Sequence, residues 1–140
     1  MKGATIAVVK DSDGYIFGGY TDVAWGMNIV YKPSSISFLH SLKNHAGIGP
    51  VKMPIKSDMT RRAVSHNSRY GPSFGSGSDL FISSNANESP SSSSAIGNTY
   101  ELPANCADKY FLTGSRTFTV LEYEVFSVHN CAPTKKRKAT

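Results

Sequence analysis

The sequence has 140 residues, 39% of them apolar and 11% aromatic, which excludes a disordered chain and fits one domain with a hydrophobic core. Its formal charge is +5, but Lys135, Lys136, Arg137 and Lys138 supply four of the 15 basic residues, leaving 11 basic against 10 acidic. A near-neutral body excludes the charge excess of a nucleic-acid groove, two cysteines exclude a disulfide framework, and no apolar run approaches the roughly 20 residues that span a bilayer as a helix.

In chain order, Ala4 to Lys10 is β-branched and apolar and predicts a buried strand. Asp11-Ser12-Asp13-Gly14 predicts a hairpin turn, because Asp-Gly tolerates positive φ. A calcium loop is excluded, since an EF-hand needs an oxygen ligand fifth and glycine sixth, and here Gly14 is fourth and Tyr15 fifth. Tyr15 to Tyr20 is the return strand, with Gly18-Gly19 marking a bulge or a close approach of another backbone. Trp25 predicts a core or edge anchor with a hydrogen-bonded indole N–H, and ligand stacking is its sharper alternative. Ser34 to Leu42 alternates as a strand, and Val51 to Ile55 carries Pro54, which predicts a sheet edge. A strand is expected at Arg62 to His66.

Gly71 to Ser78 reads as a Gly/Ser/Pro-rich turn feeding an apolar strand, Asp79 to Ser83. Glu88 to Gly97 reads as a mobile, serine-rich surface loop, and Thr99 to Leu102 as a short strand stopped by Pro103. Phe118 to Val128 is the longest strand signal, and its alternation slips phase as a β-bulge would make it do. These pieces sum to a mostly β fold, a two-sheet antiparallel β-sandwich with few short helices over residues 1–128, followed by a basic C-terminal tail over 129–140. The N-terminus, MKGATIAVVK with Asp11 and Asp13 close behind, lacks a cleavage region, so a reducing, cytoplasmic location is expected.

No catalytic signature stands out: there is no G-x-S-x-G, H-E-x-x-H, C-x-x-C or Walker loop. Gly75-Ser76-Gly77 opens like a dinucleotide fingerprint, but Leu80 stands where the next glycine would be; a turn that needs glycine is the plainer reading. The four histidines have no metal spacing, and neither a metal nor a cofactor is expected. Glu122 and Glu124 lie two apart in a strand and so share a face, either as paired carboxylates or as solvated charges. Cys106, near Lys109 in sequence, is the one candidate for a peroxide-reactive thiol, because a neighbouring ammonium favours the thiolate. Lys135, Lys136, Arg137 and Lys138 resemble a nuclear-import cluster, or equally a solvated terminus.

The order and spacing of several segments resemble the TLDc domain of the oxidation-resistance protein family. They are Gly3-Ala4-Thr5, Phe17-Gly18-Gly19-Tyr20-Thr21 with Trp25, Ser37-Phe38-Leu39-His40-Ser41-Leu42, Gly71-Pro72-Ser73-Phe74-Gly75-Ser76-Gly77-Ser78-Asp79-Leu80-Phe81-Ile82, Asn85-Ala86-Asn87, Phe111-Leu112-Thr113-Gly114-Ser115, and Phe118 with Glu122-Tyr123-Glu124-Val125-Phe126. Two departures stand out. Ser76 interrupts what is usually a run of three glycines, and the family's partly helical portion ahead of the first strand has no counterpart here, which is expected to leave an apolar face uncovered. The resemblance implies a β-sandwich, a non-enzymatic part in resistance to oxidative stress, and in several members binding to the vacuolar-type proton ATPase. On that basis the candidate binding positions are Gly71, Phe74, Gly75, Gly77 and Asp79 of the glycine loop, then Glu122 and Glu124.

Overall fold

A computed structural model of the chain describes residues 3–25, 28–67, 71–84 and 86–128. The DSDG turn does close the first hairpin. β1 (Thr5–Asp11) returns as β2 (Ile16–Thr21), with Gly14 at φ +89°. Asp11 holds the turn from inside, its Oδ1 accepting the N–H groups of Asp13 at 3.0 Å and Tyr15 at 2.9 Å. There follow β3 (Asn28–Lys32), β4 (Phe38–Lys43), β5 (Val51–Pro54), a 3-10 turn at Thr60–Arg62, β6 (Val64–Asn67) and β7 (Gly71–Phe74). The chain continues through β8 (Leu80–Phe81), β9 (Ser92–Ser94), β10 (Thr117–Phe118) and β11 (Val120–Ser127).

The strands form two antiparallel sheets, one of order β11-β1-β2-β4-β5 and one of order β10-β9-β8-β7-β6-β3. Their inner faces meet in one core, to which Val9, Phe17, Leu39 and Met53 come from the first sheet and Val64, Phe74, Leu80 and Phe118 from the second. Phe17 and Phe118 join the layers edge-to-face at 5.1 Å. This is the β-sandwich that the alternation predicts. Among the described residues no helix is long and apolar enough to cross a membrane.

The phase slip in the last strand has two parts. Phe118 belongs to one sheet and Val120 to the other, so the chain changes layer at Thr119. The pairing of β11 with β1 then shifts between Lys10 and Asp11, which leaves Leu121 unmatched and exposed. Pro54 sits on the edge strand β5 as expected. Trp25 is the anchor it promised to be, its indole N–H donating to Thr5 Oγ1 at 2.9 Å and its ring edge-to-face with Phe74 at 5.5 Å.

Other expectations are corrected. Gly71 to Phe74 is not turn but strand, paired with β6 from Val64↔Phe74 to Asn67↔Gly71. The strand expected at Arg62 to His66 begins at Val64, because the 3-10 turn takes the preceding residues. Thr99 to Leu102 makes only an isolated bridge, Ile55↔Tyr100. In the stretch read as a mobile serine loop, Ser92–Ser94 is a strand with Ser92 and Ser94 buried. Hydroxyls make that burial tolerable: Ser94 Oγ donates to the Asp79 carbonyl at 2.8 Å, and Ser92 Oγ accepts the Ser83 N–H at 3.0 Å.

Gly18-Gly19 is a close approach from both faces. On the outer face the His40 imidazole reaches from β4 across β2 and donates Nε2–H to the Ala7 carbonyl of β1 at 3.0 Å. Burial holds this imidazole below the ordinary histidine value, which keeps it neutral. A Cβ on Gly18 would lie 1.8 Å from that carbonyl oxygen and 2.9 Å from the imidazole, and one on Gly19 would lie 2.7 Å from the Phe74 ring. Gly18→Ala is therefore expected to destabilise the domain by about 3 kcal/mol or more, because a backbone atom has to move. Urea denaturation checks this, and a midpoint equal to that of the unsubstituted chain would refute it.

Candidate functional site

The glycine loop is built around one buried carboxylate. After β7 the chain reverses at Gly75, φ +91°, whose N–H donates to the Ala63 carbonyl at 2.9 Å. A Cβ here would lie 2.8 Å from Asp79 Oδ1 and 2.9 Å from Thr99 Cβ, so the position requires glycine both for its angle and for its space. Asp79 is 0% exposed. Its carboxylate accepts the N–H groups of Tyr100 at 2.9 Å, Thr99 at 3.1 and 3.2 Å, and Gly97 at 3.2 Å. Burial pushes the Asp79 carboxyl up from its usual value, and the backbone N–H groups of Tyr100, Thr99, Gly97 and Asn98 pull it down.

The segment so captured binds the loop in return. Thr99 Oγ1 accepts the Ser76 N–H at 3.0 Å, and the Thr99 carbonyl accepts the Lys56 N–H at 2.9 Å. Tyr100 donates its hydroxyl to the Ala63 carbonyl at 2.8 Å, and burial first of all pushes that phenol far up, so it remains a donor. Lys56 Nζ caps the Gly97 carbonyl at 2.6 Å.

This geometry sorts the candidate residues. Phe74, Gly75 and Asp79 are interior and shape the loop, whereas Gly77 is exposed at its tip; Gly71 lies in β7. Glu122 and Glu124 are exposed on β11 and share the outer face of their sheet, opposite Lys10 and Val8 of β1. Cys106 is half-buried against the core as a free thiol, its Sγ 3.9 Å from the Asp108 carbonyl. Cys131, Lys135, Lys136, Arg137 and Lys138 lie outside the described residues.

Beside the loop tip the structure opens a pocket of about 560 Å³, within the size range of ligand clefts. Gly77, Gly97 and Asn98 line it from the loop side, Ile96 and Leu102 give it apolar surface, and Lys109 and Arg116 bring positive charge. Both cations are exposed, and among the described residues neither is paired with a carboxylate. Lys109 Nζ stands 5.5 Å over the Tyr110 ring, a cation–π contact. Backbone bonds place the pair, since the Lys109 carbonyl accepts the Ile96 N–H and the Arg116 carbonyl accepts the Ser94 N–H, each at 2.9 Å. Arg116 belongs to no motif of the sequence, and Lys109 stands out there only as a neighbour of Cys106. Two cations seven residues apart, flanking the turn at Thr113-Gly114-Ser115, were the available signal. Among the described residues no group of three His, Cys, Asp or Glu side chains could hold a metal ion.

The chain is a two-sheet antiparallel sandwich with a glycine loop locked by an interior aspartate and an open cationic pocket beside it. The family model described as the TLDc domain matches residues 1–129, and the chain belongs to that family. No curated protein matches the chain.

Asp79→Asn is expected to cost about 2–4 kcal/mol, because the amide turns a donor toward N–H groups that the carboxylate accepts. Thermal unfolding at neutral pH measures it, and an unchanged transition would show that the carboxylate does not hold the loop.

Proposed function

We propose that the chain is a non-enzymatic protein-interaction module that acts in resistance to oxidative stress by seating an acidic segment of a protein partner in the pocket beside the glycine loop. The observation that carries this reading is the pair Lys109 and Arg116, exposed, without a carboxylate partner among the described residues, and lining one open cleft next to apolar surface. A carboxylate arriving there meets two charge-assisted donors, and the aliphatic or aromatic part of its side chain meets Leu102 and Tyr110. Arg116 is suited to a planar two-point contact and Lys109 to a point charge. The partner that the family resemblance implies is the peripheral sector of the vacuolar-type proton ATPase, whose assembly or activity the module would modulate in the cytoplasm. The basic run from Lys135 to Lys138 adds a nuclear-import signal to the same proposal.

The test is a pull-down from a lysate of matched origin, with the whole chain as bait and mass spectrometry as readout. Peripheral-sector proton-ATPase subunits are expected with the unsubstituted chain. Lys109→Glu together with Arg116→Glu should reduce their recovery about tenfold or more while leaving the thermal transition in place, since both side chains are exposed. Equal recovery by the charge-reversed bait would overturn the pocket as the binding site.

A thiol peroxidase acting through Cys106 is the competing reading. The sulfur packs half-buried against the core, so Cys106→Ser is expected to leave peroxide consumption by the purified chain unchanged. Loss of consumption in that variant would replace the module with an enzyme.

A further inference from the structure

The outer face of the five-stranded sheet carries an apolar stripe across all its strands. Residues paired across neighbouring strands share a face, so the registers read directly as rows. One row runs Phe126, Ile6, Tyr20, Phe38, Pro54 from β11 to β5. The next runs Glu124, Val8, Gly18, His40, Lys52, and the third Glu122, Lys10, Ile16, Lys43. Phe126 is 48% exposed, and Tyr20 and Phe38 stack on each other at 5.1 Å with an open side. Lys52 Nζ lies 4.2 Å over the Phe38 ring, so its charge sits on the apolar stripe.

We infer that this face is the contact of a two-fold homodimer, its occupant a second copy of this chain. The face is self-complementary, as a two-fold interface demands of a single surface. β2 is the central strand of five. A two-fold axis parallel to the strands and above β2 lays β11 over the partner's β5 and β1 over the partner's β4. Phe126 then faces the partner's Pro54, Ile6 the partner's Phe38, and Tyr20 the partner's Tyr20 on the axis. In the second row Glu124, at the acidic end, faces the partner's Lys52, at the basic end. Each charge pair occurs twice, once at each end of that row, with Val8, Gly18 and His40 between them and the apolar row running alongside. In the third row Lys10 approaches the partner's Lys43, and Glu122, paired with Lys10 across β1 and β11, offsets that contact. The alternative axis, across the strands, would lay Glu124 against the partner's β11 and leave the acidic margins facing each other.

The size also fits. Five strands about 4.8 Å apart, averaging about six residues at about 3.3 Å each, give a face of roughly 24 by 20 Å in projection. Side-chain relief raises the accessible area above that product of roughly 480 Å², toward the ~800 Å² per partner of a standard interface. Aligned sheets pack about 10 Å apart, which the Tyr20, Phe38 and Phe126 rings are long enough to fill. The inference uses neither the pocket nor its partner and stands apart from the proposed function.

Sedimentation equilibrium of the full chain over a range up to ~100 µM tests it. A dimer is expected, and Glu124→Lys or Lys52→Glu alone should each weaken it about tenfold or more, because two attractions become two repulsions. Combining the two reversals should restore the original dissociation constant. All four positions lie on exposed side chains of the two protomers, and circular dichroism verifies that each variant remains folded. A monomer throughout that range overturns the inference, including one that captures a different protein on this face. A dimer indifferent to both single reversals, or one that the double reversal fails to restore, overturns it as well.

Discussion

One buried carboxylate organises one end of the sandwich. Asp79 begins where the glycine turn ends, and it collects the backbone donors of a segment some 20 residues further along. A loop segment has no ladder of its own, so its N–H groups must find acceptors elsewhere or lose free energy. Asp79 supplies those acceptors for Gly97, Thr99 and Tyr100 while its own carbonyl takes Ser94 and Ala95. Everything nearby depends on this: the missing side chain at Gly75, the Thr99 hydroxyl under Ser76, and the Tyr100 phenol on Ala63. Gly75 is thus explained by the room that a carboxylate and a threonine take up. The exposed part of the loop, around Gly77 and Asn98, inherits its position from them.

What the sequence made legible follows from which signals are local. Asp-Gly at residues 13 and 14 names its own turn, and Pro54 names an edge, because each acts through its own backbone. The phase slip after Phe118 was readable too, since alternation records which side of a sheet a residue faces. Ser92–Ser94 was not readable. Its burial rests on hydroxyls bonded to distant backbone groups, and composition presents the same serines as a solvated loop. Gly71 to Phe74 failed for a related reason. Glycine and proline there suggest a turn, while the pairing that makes them a strand comes from β6.

The candidate site was half legible on the same grounds. Asp79 was singled out from the sequence, but as a candidate binding position of the loop, because nothing local tells an acid on the surface from one that caps backbone donors. Lys109 and Arg116 become neighbours of the loop only through backbone bonds to Ile96 and Ser94, inside the segment whose serines hid its strand. A site made by long-range pairing cannot be seen before the pairing is known. Glu122 and Glu124 were placed on one face correctly, since two residues apart in a strand is a local rule.

The histidine that crosses β2 has a consequence for how the sheet is assembled. A strand with two adjacent glycines offers its neighbours few side chains by which to choose an alignment, and such strands are prone to slip. His40 ties β4 to Ala7 of β1 through the one place on β2 where nothing stands in the way. Sliding β2 by two residues would bring Phe17's neighbour Ile16 or the Tyr20 ring under the imidazole and break that tie. The bare position therefore works as a keyway and the imidazole as its key, so that the least featured strand of the sheet is aligned by a contact it does not itself make.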